Sequence, residues 1–550
     1  MLGIFSFLGF TILVAVIAYM ATRKTNEKSS DGYFLGGRSL TAGVIAGSLL
    51  LTNLSTEQIV GLNGSAYTDG LSVMAWETLA AIAMVVTAVF LLPKYLKGGL
   101  TTVPQFLAKR FDVTTKTITS GLFLTGYVVV LLPVILYSGS VAISGMFDVP
   151  SLLGVSDKTA LIVCIWGIGI IGSIYAVFGG LKAVAVSDSI NAIGLLIGGI
   201  MIPVFGLMAI GDGSVFSGLE VLMSTNPERF DSTGNHGQEV PFSTIFTGMM
   251  LVQLFYWGTN QQIIQRALGA KSLAEGQKGL LLASFLKILG PLILVLPGMI
   301  AYHYFDGGLA SSDLAYPELV RAVLPGPLVG FFAAVLFGAI LSSFNSVLNS
   351  SVTLFGIDIY KQHINKDAPE ITVVKYGKIF GVCLALAAMF IAPLIANAGS
   401  LFNYLQEING IYSIPILTII IVGYLTKRVP AIAAKIGIVS GSVLYIVSQF
   451  FIGPNRVEKA LEAAKASGIT DAAALKLVEA DAYPHYLHVM AILFALNVII
   501  MLIIGKIWPR KEDYVLEYTE QVSIEPYKYV KQVGITVCVI VIGIYIYFAK

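Results

Sequence analysis

Runs of eighteen or more largely apolar residues recur from one end of this chain to the other, and no other feature constrains its fold as strongly. As an α-helix, with a rise of about 1.5 Å per residue, a run of that length crosses the ~30 Å hydrocarbon core of a bilayer. About fourteen such runs can be marked, at 3–20, 41–66, 71–93, 118–148, 159–178, 184–211, 241–265, 279–303, 324–358, 379–397, 400–425, 436–451, 486–505 and 532–549. With 56% of its residues apolar and 12% charged, the chain leaves no segment for a soluble catalytic domain. The expected fold class is an all-α polytopic membrane protein.

The first run lacks the basic leader and small-residue cleavage site of a signal peptide and is followed by Arg23 and Lys24, so it reads as a retained helix. Lys and Arg accumulate in cytoplasmic loops. Placing both termini outside the cytoplasmic membrane puts most basic residues inside, among them Lys94, Lys97, Lys109, Arg110, Arg266, Lys271, Lys427 and Arg428. A net charge of +2 argues against a nucleic-acid partner; the bilayer is the expected surrounding, and a monomer or a homodimer fits equally. Cys164, Cys383 and Cys538 all sit in apolar runs and form no CxxC pair. The five histidines are scattered, so no enzyme is expected. The outer loop 452–485 reads as a short surface helical hairpin, with no chemistry assigned to it.

Polar residues inside membrane helices are costly and mark function. The second run is interrupted by Thr52-Asn53-Leu54-Ser55-Thr56-Glu57-Gln58, which fits an unwound segment whose carbonyls could ligate a cation. The seventh carries Gln253, Tyr256, Trp257, Asn260 and Gln261 at helical spacing. That polar, aromatic face suits a sugar, although spacing alone fits interhelical packing equally well. The ninth adds Ser342, Ser343, Ser346, Asn349 and Ser350 below Ala339; small hydroxyl residues are commonly close-packing devices. Glu57, Glu77, Asp188, Lys287 and Glu407 lie within or beside runs. Lys287 needs a carboxylate or must lose its proton, and Glu77 is the preferred companion. Gln406, beside Glu407, adds an amide at similar depth.

Taken with DGYFLGGRSL (31–40), TNLSTEQIVG (52–61), YAVFGGLKAV (175–184), FYWGTNQQIIQRALGAKS (255–272) and SSFNSVLNS (342–350), the chain resembles the sodium/solute symporters, particularly bacterial sodium/galactose transporters, from about residue 30 to residue 430. The resemblance implies a LeuT-like fold of two inverted five-helix repeats, each beginning with a discontinuous helix. Residues 1–30 would hold the first helix and its loop, 31–211 the first repeat, 212–430 an outer loop and the second repeat, and 431–550 three accessory helices.

It also implies a sugar site at Asn53, Gln58, Glu77, Gln253, Lys287 and Gln406, with Tyr256 as aromatic platform and inner gate and Asn260 on the same stripe. Leu62, Trp76 and Phe402 would close over the sugar from outside. Sodium would be held by the backbone carbonyls of Leu51, Leu54 and Ala339 and the hydroxyls of Ser342 and Ser343. Asp188 resembles the acidic residue near an additional ion in two-sodium relatives, yet their following serine pair reads Asn345-Ser346 here, which favours one sodium. Ala80 stands where the galactose carriers add a serine, and Gln253 where they have Asn, so the sugar can differ. The implied function is sodium-coupled symport of a small neutral sugar or polyol. The alternatives are a sodium symporter for sialic acid, inositol, an amino acid or a carboxylate, or a non-transporting solute sensor.

Overall fold

The computed structural model describes residues 2–22, 29–397 and 401–549, and every regular element among them is helical. Among the described residues, ten helices are long and apolar enough to cross a bilayer, or eleven if the pair Leu273–Lys287 and Gly290–Tyr304, bent by 49°, counts as one span. The remaining three expected runs are helical too: Leu2–Thr22, the run 41–66 split at residues 54–55, and the run 241–265 split at residues 259–260. Arg23 and Lys24 fall outside the described residues, as do the side chains of Asp31 and of residues 175–180 in the quoted motifs.

The elements that build the site are α1 (Ala42–Asn53), α2 (Thr56–Asp69), α3 (Ala75–Val86), α4 (Met250–Gly258), α5 (Gln261–Leu268), α6 (Leu273–Lys287), α7 (Gly326–Thr353) and α8 (Leu401–Leu425). The 452–485 loop forms the helices α9 (Gly453–Ala466) and α10 (Ala472–Ala482). Ile171, Ile197, Phe390 and Ile535 are exposed, while Ser, Thr, Asn and Gln side chains concentrate inside. This is the polarity a bilayer solvent selects.

Small residues set the spacing of the inner helices. A Cβ on Gly47 of α1 would lie 2.8 Å from the Cα of Ser189 in the Asp157–Ile210 helical run, and one on Gly279 of α6 would lie 2.7 Å from Ile45. Helix α1 is thereby clamped from two sides. At the other end of α8, the fully buried Arg110 caps the helix by donating to the carbonyls of Gly423 (2.9 Å), Thr426 (3.0 Å) and Val429 (3.0 Å). The first two are carbonyls that a helix C-terminus leaves without partners, and the third belongs to the loop that follows. Two residues counted from sequence as cytoplasmic loop cations, Arg110 and Arg266, are therefore interior side chains, each neutralised or hydrogen-bonded by the fold.

Candidate functional site

The chain leaves α1 at Leu54 (φ −75, ψ 56) and is extended at Ser55 (φ −86, ψ 175) before α2 begins. Asn and Ser compete with helical hydrogen bonds through their side chains, and the Ser55 hydroxyl donates to the Asn53 carbonyl at 3.4 Å. A second break follows α4. Asn260 caps α5, its Oδ1 accepting from the Gln262 N–H (3.2 Å) and from the Tyr127 hydroxyl (2.6 Å). This divides the expected stripe. Gln253, Tyr256 and Trp257 remain together on α4, whereas Asn260 is committed to capping and Gln261 bonds the 101–103 backbone.

Lys287, at the end of α6, pairs with Glu77 of α3, and both are buried. The other carboxylate oxygen of Glu77 accepts from Gln58 Nε2 at 3.1 Å, and the Lys287 ammonium lies 5.7 Å from the centre of the Trp257 ring. Gln253 ties α4 to α3 by donating to the Trp76 carbonyl (2.7 Å), and accepts from the Trp257 indole on its own helix (3.1 Å). Gly290 permits the pair, because a Cβ there would collide with the Glu77 carboxylate. Gln58, Tyr256 and Gln406 stay only half-buried, so they keep accessible surface beside an otherwise closed polar cluster. The Tyr256 hydroxyl faces the amides of Asn53 and Gln262.

Above this cluster sits an apolar plug. Leu62, Trp76 and Phe402 are all buried, the Trp76 and Phe402 rings meet edge to face at 5.2 Å, and Gly61 lets Phe402 seat directly on α2. Ser65 and Asp69, further along α2, line a large cavity. At about 1.5 Å per residue, Gln58, Leu62 and Ser65 stand at successive heights about 4.5 to 6 Å apart. Site, plug and cavity are thus stacked along one helix. Glu407, expected within a span, lines that cavity and accepts from Gln449 Nε2 at 2.7 Å.

The C-terminal end of α1 meets the hydroxyl face of α7. Ser343 donates to the Thr52 carbonyl (3.1 Å), and the Thr52 hydroxyl lies 3.5 Å from Ser342 Oγ and 3.2 Å from Ser346 Oγ. Leu51, Leu54 and Ala339 are fully buried around this contact. Hard oxygens at the negative end of a broken helix are the donor set an alkali cation takes. Asp188 lies alongside, bonded to Ser48 (2.6 Å), with its second oxygen unpartnered. Arg266 also reaches here. Its guanidinium bonds Ser48, Ser346 and the Gln262 carbonyl and lies 3.9 Å from Asp188. Sequence reasoning missed Arg266 and Ser48 as parts of this site; the QQIIQR stretch, too polar for a loop that merely reverses direction, was the available signal for Arg266.

A multi-pass helical protein with a helix broken beside a polar pocket, and hydroxyls gathered at the break, has the build of an ion-coupled secondary transporter. Its fold matches that of a structure described as the substrate-bound outward-open state of a Na+-coupled sialic acid symporter (TM-score 0.67, 18% identity, covering 90% of this chain and 98% of that one). It also matches Mhp1, a nucleobase-cation-symport-1 transporter, in a closed conformation (TM-score 0.53, 14% identity, 86% and 95%). The fold is therefore LeuT-like. The chain belongs to the sodium:solute symporter family, whose model matches residues 33–441. It is 46% identical to the uncharacterized symporter YidK of Escherichia coli (strain K12) over 99% of this chain and 90% of that one. It is 33% identical to the sodium/glucose cotransporter of Vibrio parahaemolyticus (78% and 82%) and 29% identical to human sodium/myo-inositol cotransporter 2 (80% and 68%). Sodium-coupled symport of a small molecule across a membrane follows from that membership.

Proposed function

We propose that the transported solute is a small neutral sugar or polyol, carried into the cell across the cytoplasmic membrane with one sodium by alternating access. The observation that carries this reading is the Glu77–Lys287 pair. Because the buried cation is already balanced, an anionic solute finds no free charge to bind, while the half-buried Gln58 and Gln406 offer amides to hydroxyls and Tyr256 offers a ring. The names of the glucose and myo-inositol relatives point the same way.

In this scheme sodium enters from outside and is held by Ser342, Ser343 and the carbonyls of Leu51, Leu54 and Ala339, drawing α1 onto α7. The sugar seats on Asn53, Gln58, Glu77, Lys287, Gln253 and Gln406, with Leu62, Trp76 and Phe402 closing above it and Tyr256 releasing it below. Asn260 contributes by fixing the α4–α5 break. The Arg266 guanidinium, 3.9 Å from Asp188, already offsets that carboxylate, which supports a single sodium. The repeats would comprise 31–211 and 212–430, with both termini outside. One charge crossing 100 mV supplies about 2.3 kcal/mol, and a tenfold sodium gradient adds about 1.4 kcal/mol. Together they support roughly several-hundred-fold accumulation.

Proteoliposomes with an imposed sodium gradient at equal pH, offered a panel of sugars, polyols, sialic acid and amino acids, test the reading. Accumulation of a neutral polyhydroxy solute is expected. Accumulation of an anionic solute alone, or uptake driven by protons without sodium, overturns it.

A further inference from the structure

The helix that carries Lys287 is discontinuous, and a residue of α2 that the transport scheme does not use repairs it. Beyond Lys287 the segment Gly290–Tyr304 is bent by 49° from α6, and it is itself broken at Val295, between Gly290–Leu294 and Leu296–Tyr304. Such a break leaves carbonyls of the first piece and N–H groups of the second without helical partners. Pro297 makes the deficit permanent, because it has no N–H to offer the Ile293 carbonyl one turn before it.

Asn63 of α2 reaches across to both pieces. Its Nδ2 donates to the Ile293 carbonyl at 3.4 Å and to the Ile59 carbonyl of its own helix at 2.7 Å, while its Oδ1 accepts from the Gly298 N–H at 2.8 Å. The side chain is fully buried, where an amide without such partners would be costly. Gly298 allows the approach, since a Cβ there would collide with the Asn63 carbonyl oxygen. Both N–H groups of the carboxamide are engaged, so Asn63 has no donor left for a solute.

Helix α2 therefore grips the bent helix at two points. At the first, Gln58 donates to Glu77, whose other oxygen pairs with Lys287 and whose carboxylate rests against Gly290. Five residues on, about 7.5 Å further along α2, Asn63 holds Ile293 and Gly298. The second grip fixes the height of the Gly290–Tyr304 arm on α2, and with it the place where Gly290 meets Glu77.

We propose that Asn63 is a positioning residue for the central solute site, holding the Gly290–Tyr304 arm so that Glu77 and Lys287 face Gln58. The inference rests on the central site proposed above, whichever solute fills it. Its test is sodium-driven uptake in proteoliposomes of radiolabelled glucose, myo-inositol and sialic acid, beside thermal melts of the purified full chain. Asn63→Leu should raise the half-saturating solute concentration about three- to tenfold, with sodium binding in the absence of solute unchanged. It should also melt at a lower temperature. Asn63→Leu/Pro297→Ala returns an N–H to the Ile293 carbonyl, so melting should recover while the half-saturating concentration stays raised, because the arm is no longer held to α2. Should Asn63→Leu fail to fold, Asn63→Asp keeps an acceptor for Gly298 and, when protonated, a donor for one carbonyl. Its half-saturating concentration relative to wild type should then climb between pH 5 and pH 8.

An unchanged half-saturating concentration in Asn63→Leu, recovery of affinity together with melting in the double variant, or a flat pH ratio in Asn63→Asp overturns the positioning role and leaves the transport reading standing. Uptake of sialic acid alone, shifted by Asn63→Leu, keeps the positioning role and overturns the neutral-solute reading. No uptake of any of the three solutes overturns both.

Discussion

Replacing Lys287 by methionine removes the positive half of a buried pair while keeping most of the side-chain volume. Glu77 then retains only the Gln58 amide, at 3.1 Å, for a carboxylate that is fully buried. Breaking such a pair costs about 3 to 5 kcal/mol, because the remaining charge stays desolvated. If that energy is withdrawn from the transport-competent state, the specificity constant for uptake falls by about two to nearly four orders of magnitude. The double variant Lys287→Met/Glu77→Gln removes the stranded charge. It should recover thermal stability in detergent, measured by fluorescence-detected size-exclusion melts, and still fail to transport, because both solute contacts are gone. Sodium-driven uptake in proteoliposomes supplies the activity readout. A Lys287→Met single variant with wild-type melting and uptake would refute the reasoning, showing that the lysine reaches water instead of Glu77.

Gly290→Ala should weaken uptake as severely as a direct loss of the pair, since its Cβ would collide with the Glu77 carboxylate; normal uptake would show that α3 can shift to make room. Ser343→Ala, which deletes the hydroxyl bonded to the Thr52 carbonyl, should raise the half-saturating sodium concentration about three- to tenfold, read from sodium titrations of uptake, and an unchanged value would remove it from the ion site. Arg266→Gln frees the Asp188 carboxylate from its cation, so the Hill coefficient for sodium should rise from one toward two, and a loss of uptake at every sodium concentration would mean Arg266 only holds the fold. Burial raises the Glu239 carboxyl to about 7, opposed by facing Ser65 and Lys476 and reinforced by Asp69 and Asp313. The native state therefore holds a proton that the unfolded chain gives up near pH 4.5, and stability falls as pH rises through the interval from 4.5 to 7, then levels. Glu239→Gln should flatten that dependence in detergent melts, and an unaltered pH profile would contradict it.

Length and apolarity made nearly the whole helical framework legible, since the bilayer allows few alternatives to a long apolar helix. The break in 41–66 was legible too, because seven consecutive polar-rich residues cannot face lipid. The break after Gly258 was expected only through the family resemblance, which implied a discontinuous helix at the start of each repeat, and was not legible in the residues themselves. Helical spacing carries Gln253, Tyr256, Asn260 and Gln261 on one face, and nothing in the periodicity announces that Asn260 stops one helix and caps the next. Lys287 was legible as a cation in need of a partner, and Glu77 is that partner. Arg266 was hidden for a different reason. Charge counting assigns every arginine between two apolar runs to a loop, while this one folds back to Ser48, Ser346 and Asp188, contacts separated from it in sequence by 218 and 80 residues for the two serines.

Arg110 meets its partners late in the life of the chain. Its guanidinium donates to the Gly423 carbonyl, 313 residues downstream. At a synthesis rate of about 5–20 residues per second, those carbonyls emerge about 15 to 60 s after the arginine does. Throughout that wait the charge lacks those acceptors and must be met by lipid headgroups and interfacial water. It becomes a helix cap only when α8 arrives. The first half of the protein is thus threaded into the membrane well before it can be finished, and the final locking step is an event of assembly between already inserted helices.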